Sequence, residues 1–174
     1  MLIMSYKLKK LVCIIVIIIL IQVIFSLHFK QVSLQKLYLH NTIAEINNIS
    51  ILLENKAIAS QDIYSFINKS YVIKLLYDIK SNSMEVFCIK NKLFSSYYFT
   101  IINRLVEEIK EYIDNPIEEQ LQWIMFSLKQ QREAYENTLS YAKNPVVLIP
   151  FYGINKLSER FVKEVHLNLN STLE

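Results

Sequence analysis

The stretch Leu11–Leu27, LVCIIVIIILIQVIFSL, decides how the chain is read: 17 residues with no charge and one amide, Gln22. An α-helix rises about 1.5 Å per residue, so the run covers roughly 25 Å, at the short end of what crosses a hydrocarbon core about 30 Å thick. Phe29 and Val32 continue the apolar character, and Lys10 and Lys30 can lay their stems along it with the ammonium in water. The expectation is a transmembrane signal anchor, residues 11–27, held by Lys7, Lys9, Lys10, Leu11, Ile15, Ile19, Phe25 and Leu27, with membrane lipid as its partner.

Two rival readings exist. A cleaved secretory signal shares the basic flank, but its apolar region is usually about 7 to 15 residues and ends in a small–x–small site. Ile24-Phe25-Ser26-Leu27-His28 contains no such site. A buried core helix is the other rival, since isoleucine on every face demands apolar neighbours all round. The flanks also set direction. Basic residues stay on the cytoplasmic side, so residues 1–10 form a cytoplasmic basic tail and the remainder lies outside the cytoplasm.

Charge supports this division. Three of the 19 basic residues precede the anchor, leaving 16 against 16 acidic ones, all of which lie at or beyond Glu45. The net +3 therefore belongs to the tail. It is not the clustered basic surface that nucleic acid requires, and no nucleic-acid partner is expected. The single glycine, Gly153, excludes glycine-rich phosphate loops, dinucleotide fingerprints and nucleophile elbows, which need several. Few glycines and three prolines also argue against a many-turned β-sandwich. Cys13 lies in the anchor and Cys88 beyond it, so they cannot pair; Cys88 is read as a buried thiol or an intermolecular disulfide.

Beyond the anchor the periodicity is helical. Residues 28–59 form a membrane-proximal amphipathic helix whose heptad frame puts Val32, Leu39, Ile46 and Leu53 at d, and Lys36, Ile43, Ser50 and Ala57 at a. This is either packing on its own domain or a dimerising coiled-coil stalk. Residues 60–169 form the bundle domain. Ser60 caps a helix from Gln61 to Lys80, which Ser81-Asn82-Ser83 breaks. MEVFCI (84–89) fits a short strand or a helix lead-in, with a turn at Lys90-Asn91-Lys92. The next helix spans 94–114 with Tyr98, Ile101, Leu105, Ile109 and Tyr112 on one face. In Asn115-Pro116-Ile117-Glu118, Asn115 caps, Pro116 takes the first helical position and Glu118 completes a capping box. That helix runs to Lys143 and turns back on its predecessor. VVLIPFYG (146–153) reads as an extended apolar segment, either a buried crossover or a membrane- or partner-binding patch. A last helix covers 155–169, and 170–174 is a disordered tail.

Chemistry is sparse. His28, His40 and His166 show no ligand spacing, so no metal or cofactor is expected. Glu107, Glu111, Asp114 and Glu118 recur at helical spacing but lack the Glu-x-x-His pairs of a di-metal bundle. A long apolar N-terminal helix leading into an outer domain resembles type IV pilins. Lys9-Lys10-Leu11-Val12 stands where their Gly-Phe-Thr-x-x-x-Glu processing motif belongs, and the helix has no Glu, so the chain is not assigned to them.

The fold expected is mainly all-α: an N-terminal transmembrane helix followed by a four- to five-helix bundle with at most minor β structure. The function expected is non-enzymatic: a single-pass membrane-anchored protein whose outer domain mediates protein–protein interaction or assembly with a protein partner or as a homodimer. The contact residues expected are Leu39, Ile43, Ile46 and Leu53, with Val146, Leu148, Phe151 and Tyr152. The alternative is a membrane-tethered ligand-binding sensor, with a pocket between helices lined by Tyr97, Tyr98, Trp123 or Tyr135. An enzyme would gather His40 or His166 with carboxylates in a cleft.

Overall fold

With neither Gly nor Pro before residue 116, nothing in the first half of the chain forces a helix to stop. The computed structural model describes residues 6–55, 63–87, 89 and 92–170. Ser60, Ala57, Cys88 and the tail beyond 170 lie outside them, as does the Lys7 side chain. Among the described residues the chain is all-α: α1 (Tyr6–Glu54), α2 (Ile63–Val86), α3 (Lys92–Asp114), α4 (Glu118–Tyr141), a 3₁₀ turn (Pro145–Leu148) and α5 (Tyr152–Asn170). No strand occurs there; residues 84–86 of the expected segment are the end of α2.

α1 is 49 residues, about 73 Å at the usual rise. Its first part, the arm, leaves the bundle and is exposed on every face; its second part is a wall of the bundle. The wall is built by one row spaced alternately by four and three: His28, Val32, Gln35, Leu39, Thr42, Ile46, Ile49 and Leu53, all buried. The expected d row is correct. The buried residues that alternate with it are Gln35, Thr42 and Ile49, and not Lys36, Ile43 and Ser50. Gln31 and Gln35 donate through Nε2 to the Val86 carbonyl at 3.1 and 3.2 Å, satisfying an end of α2 that helix geometry leaves unpaired.

α4 packs against α1, α3 and α5, and α2 against α1 and α3. α2 continues through the expected break because Ser83 is buried and turns its hydroxyl back on the Lys80 carbonyl at 2.7 Å. α3 and α4 form the hairpin: Gln120 reaches Glu108 and Glu111 across the turn. The capping box does not form. Ile117, extended at φ −115°, precedes α4 without a side-chain cap, and Asn115 and Pro116 stay in the connection. Glu118 and Glu119 instead place negative charge on the first turn, where the helix dipole favours it. The expected α3 face is buried throughout.

An aromatic cluster fills the centre. Phe87 stacks on Phe161 with centroids 4.4 Å apart, and Tyr135 meets Phe161 edge-on at 5.3 Å. Tyr98 and Tyr135, both fully buried, share a 2.8 Å hydroxyl–hydroxyl bond, and Tyr38 donates to the Ile79 carbonyl at 2.6 Å while lying 3.4 Å from the Tyr135 hydroxyl. Burial drives the Tyr98 and Tyr135 phenols far above their ordinary range, so both stay protonated.

Candidate functional site: the apolar arm and the loop at its root

Two surfaces are apolar where a water-soluble bundle would be polar. The first is the arm. From Leu11 to Phe25 all but Ile24 of its apolar side chains are exposed, including Leu11, Ile15, Ile19 and Phe25 of the expected anchor; Leu27 follows at the root, 62 % exposed. Lys9 and Lys10 are exposed at its start, and Cys13 is a free, exposed thiol. By length and composition the helix is long and apolar enough to cross a membrane.

The second surface is the connection from α4 to α5. Asn144 caps the start of one 3₁₀ turn by accepting a 3.0 Å bond from the Val146 amide, Pro145 takes its first position, and the turn forms in place of the expected extended segment. Val147 is buried; Val146 is partly buried. Leu148, Ile149, Phe151 and Tyr152 are exposed, Phe151 at 71 %. Phe151 takes φ 63°, a left-handed conformation that costs a side-chain-bearing residue about 1–2 kcal/mol. Two contacts hold the loop there. Gly153 is buried so tightly against the Val147 backbone that a methyl group would run into its carbonyl. Its amide donates to the Ile149 carbonyl at 2.8 Å.

This loop is docked on the root of the arm. His28, the first buried residue after the arm, lies with Nε2 2.8 Å from the Val147 carbonyl, so the Nε2–H tautomer donates across 119 residues of chain. A cleft of 280 Å³ between the two elements is lined by Ile24, Leu27, His28, Gln31, Pro150, Phe151 and Ile154. Sequence reasoning found the loop and the arm separately. It did not find their contact, although His28 falls in the same alternating row as Val32 and Leu39.

The other expected contact residues lie elsewhere. Leu39, Ile46 and Leu53 are fully buried in the chain's own core and Ile43 packs partly against it, so this seam holds α1 to the bundle and offers no surface to a partner. The outward row of α1 is a different one: Lys30, Leu34, Leu37, Asn41, Ala44, Asn48 and Ile51, spaced by four and three and all exposed. Beside it runs a 440 Å³ cleft between α1 and α2, lined by Gln31, Leu34, Leu37, Tyr38, Asn41, Asn82, Glu85 and Val86.

Comparison with known protein families, curated proteins and solved structures gave no match.

The aromatic residues expected around a ligand do not converge. Tyr98 and Tyr135 satisfy each other inside the core, Tyr97 stacks on His166 at 4.9 Å, and Trp123 lies under Arg104 at 4.6 Å. The histidines are dispersed: His28 under the loop, His40 exposed on α1, His166 half-buried against Phe94 and Tyr97. Among the described residues no three His, Cys, Asp or Glu side chains gather as metal ligands. The acidic residues Glu108, Glu111, Asp114 and Glu119 line one open cleft at the α3–α4 turn.

Proposed function

We propose that this chain is a single-pass membrane protein, amino terminus in the cytoplasm, whose helical domain stands on the far side and works by protein contact without catalysis. The observation that carries this is the arm. A helix with isoleucine, leucine and valine exposed on every face is unfavourable in water by roughly 25 cal/mol per Å² of apolar surface, and lipid removes that cost. The lysines before it supply the cytoplasmic bias.

The contact surface is the outward row of α1, and its occupant is a second copy of the chain. Two copies anchored in one membrane present α1 in parallel, which a parallel two-stranded pairing requires. The row has the alternating spacing of such a seam, and Asn41 and Asn48 at equivalent heptad positions are residues that fix register at a cost in stability. Leu34, Leu37, Ala44 and Ile51 supply the apolar contact.

The test uses the full chain in membranes with Cys13 and Cys88 replaced by Ser. Leu37→Cys and Ile51→Cys are expected to form disulfide-linked dimers on mild oxidation, and Lys163→Cys, on the exposed face of α5, none. Absence of dimers at both α1 positions, or equal dimer at all three, overturns the contact assignment. A small ligand seated in the α1–α2 cleft is the alternative; it predicts protection of Leu37→Cys from a maleimide without any dimer.

A further inference from the structure

The exposed loop sits at a depth that the arm itself defines. The run Leu11–Leu27 covers roughly 25 Å of a core about 30 Å thick, so the hydrocarbon boundary falls about three residues further on, near Lys30. The loop is packed against Ile24, Leu27, His28 and Gln31, on both sides of that boundary. Its exposed side chains are Leu148, Ile149, Phe151 and Tyr152, contiguous in the chain but for Pro150. No polar residue interrupts them.

We infer that this loop is a second membrane contact: Leu148–Tyr152 enters the leaflet from which α1 emerges and fixes the bundle against the bilayer surface. The inference rests on the membrane reading of the arm. Three observations favour lipid over protein as the occupant. The loop is continuous with the arm's own apolar surface through the cleft at Ile24 and Leu27. Its residue types, two aliphatic and two aromatic with a terminal phenol, are those that settle at the boundary between acyl chains and headgroups. Exposed lysines stand nearby, Lys30 on α1 two residues after His28 and Lys143 two residues before the 3₁₀ turn, suited to anionic headgroups.

The fold also protects the polar group that this depth endangers. A bare imidazole at the boundary would face acyl chains. His28 is instead 4 % exposed beneath the loop, and bonded to the Val147 carbonyl. Phe151 in its left-handed conformation, with Gly153 locked on Val147, keeps the aromatic ring outside the core.

The test is depth-resolved tryptophan quenching in the full chain reconstituted in phosphatidylcholine–phosphatidylglycerol vesicles. Trp123, the one native tryptophan, is replaced by Phe, and single reporters are placed by Phe151→Trp, Tyr152→Trp, Ile18→Trp and Ile117→Trp. The two loop reporters are expected to lose emission to shallow nitroxide lipids, with a blue-shifted maximum, and little to aqueous iodide. Ile18→Trp is expected to respond to deep nitroxides, and Ile117→Trp, at the α3–α4 turn, to iodide alone. Loop reporters quenched by iodide, or shielded from both quenchers as in a protein interface, overturn the inference while Ile18→Trp still reports lipid. Failure of Ile18→Trp to meet lipid overturns the anchor itself, and the loop's role with it.

Discussion

Replacing Tyr135 by Phe tests the centre of the bundle at a single atom. The Tyr135 hydroxyl is the 2.8 Å partner of Tyr98, and both rings are completely buried. Its loss leaves the Tyr98 hydroxyl desolvated, which costs about 1–3 kcal/mol. The expected cost lies in the lower half of that range, near 1.5 kcal/mol, an order-of-magnitude value. Tyr38 loses little, because it keeps the Ile79 carbonyl at 2.6 Å. Tyr98→Phe costs less, about 1 kcal/mol, because Tyr135 keeps Tyr38 at 3.4 Å. The double variant removes both hydroxyls and orphans neither, so its cost is about 1 kcal/mol and falls well short of the sum. The assay is urea unfolding of the full chain in mild detergent, followed by far-UV circular dichroism, across the four members of the cycle. Strict additivity, or a neutral Tyr135→Phe, would refute the reasoning that these hydroxyls depend on one another.

Alkali should unfold the protein through the same phenols. Burial raises Tyr98 and Tyr135 in the fold, while in the unfolded chain they titrate near 10. Stability is therefore undiminished below about pH 10 and falls above it by up to about 1.4 kcal/mol per pH unit for each phenol that stays protonated only in the fold. Circular dichroism against pH should show this fall, with a shallower slope in Tyr98→Phe/Tyr135→Phe. Gly153→Ala should destabilise by about 1–3 kcal/mol through collision with the Val147 backbone, read as a lower thermal midpoint and faster amide exchange at Val147 and Ile149. Gln131→Met should raise stability by about 1–2 kcal/mol, because both amide atoms are buried without a partner among the described residues; an unchanged or lower urea midpoint counts against that.

How much of this can be read from spacing varies by element. The arm needs only composition, and the α3 stripe only a period of 3.6, since Tyr98, Ile101, Leu105, Ile109 and Tyr112 face the core as spaced. Helix ends are less legible. Asn115 and Pro116 have the chemistry of a cap, yet the hairpin turn uses them as connection, and Ser83 is a breaker by type but a core residue by position. The α1 seam shows the limit most plainly. Hydropathy favours Ile43 over Gln35 and Thr42, whereas the fold buries Gln35 because the end of α2 needs its amide. A long-range need of this kind has no local trace. The same holds for the loop: its apolar run is evident in sequence, but its place at the root of the arm depends on His28 meeting Val147.

Alkaline carbonate extraction of membranes from cells making the full chain tests most directly whether the arm lies in lipid. The intact polypeptide is expected to stay in the membrane pellet after the wash, and to move to the supernatant when Ile15 and Ile19 are both changed to Lys. Recovery of the unaltered, full-length chain in the supernatant would contradict a helix that spans the bilayer.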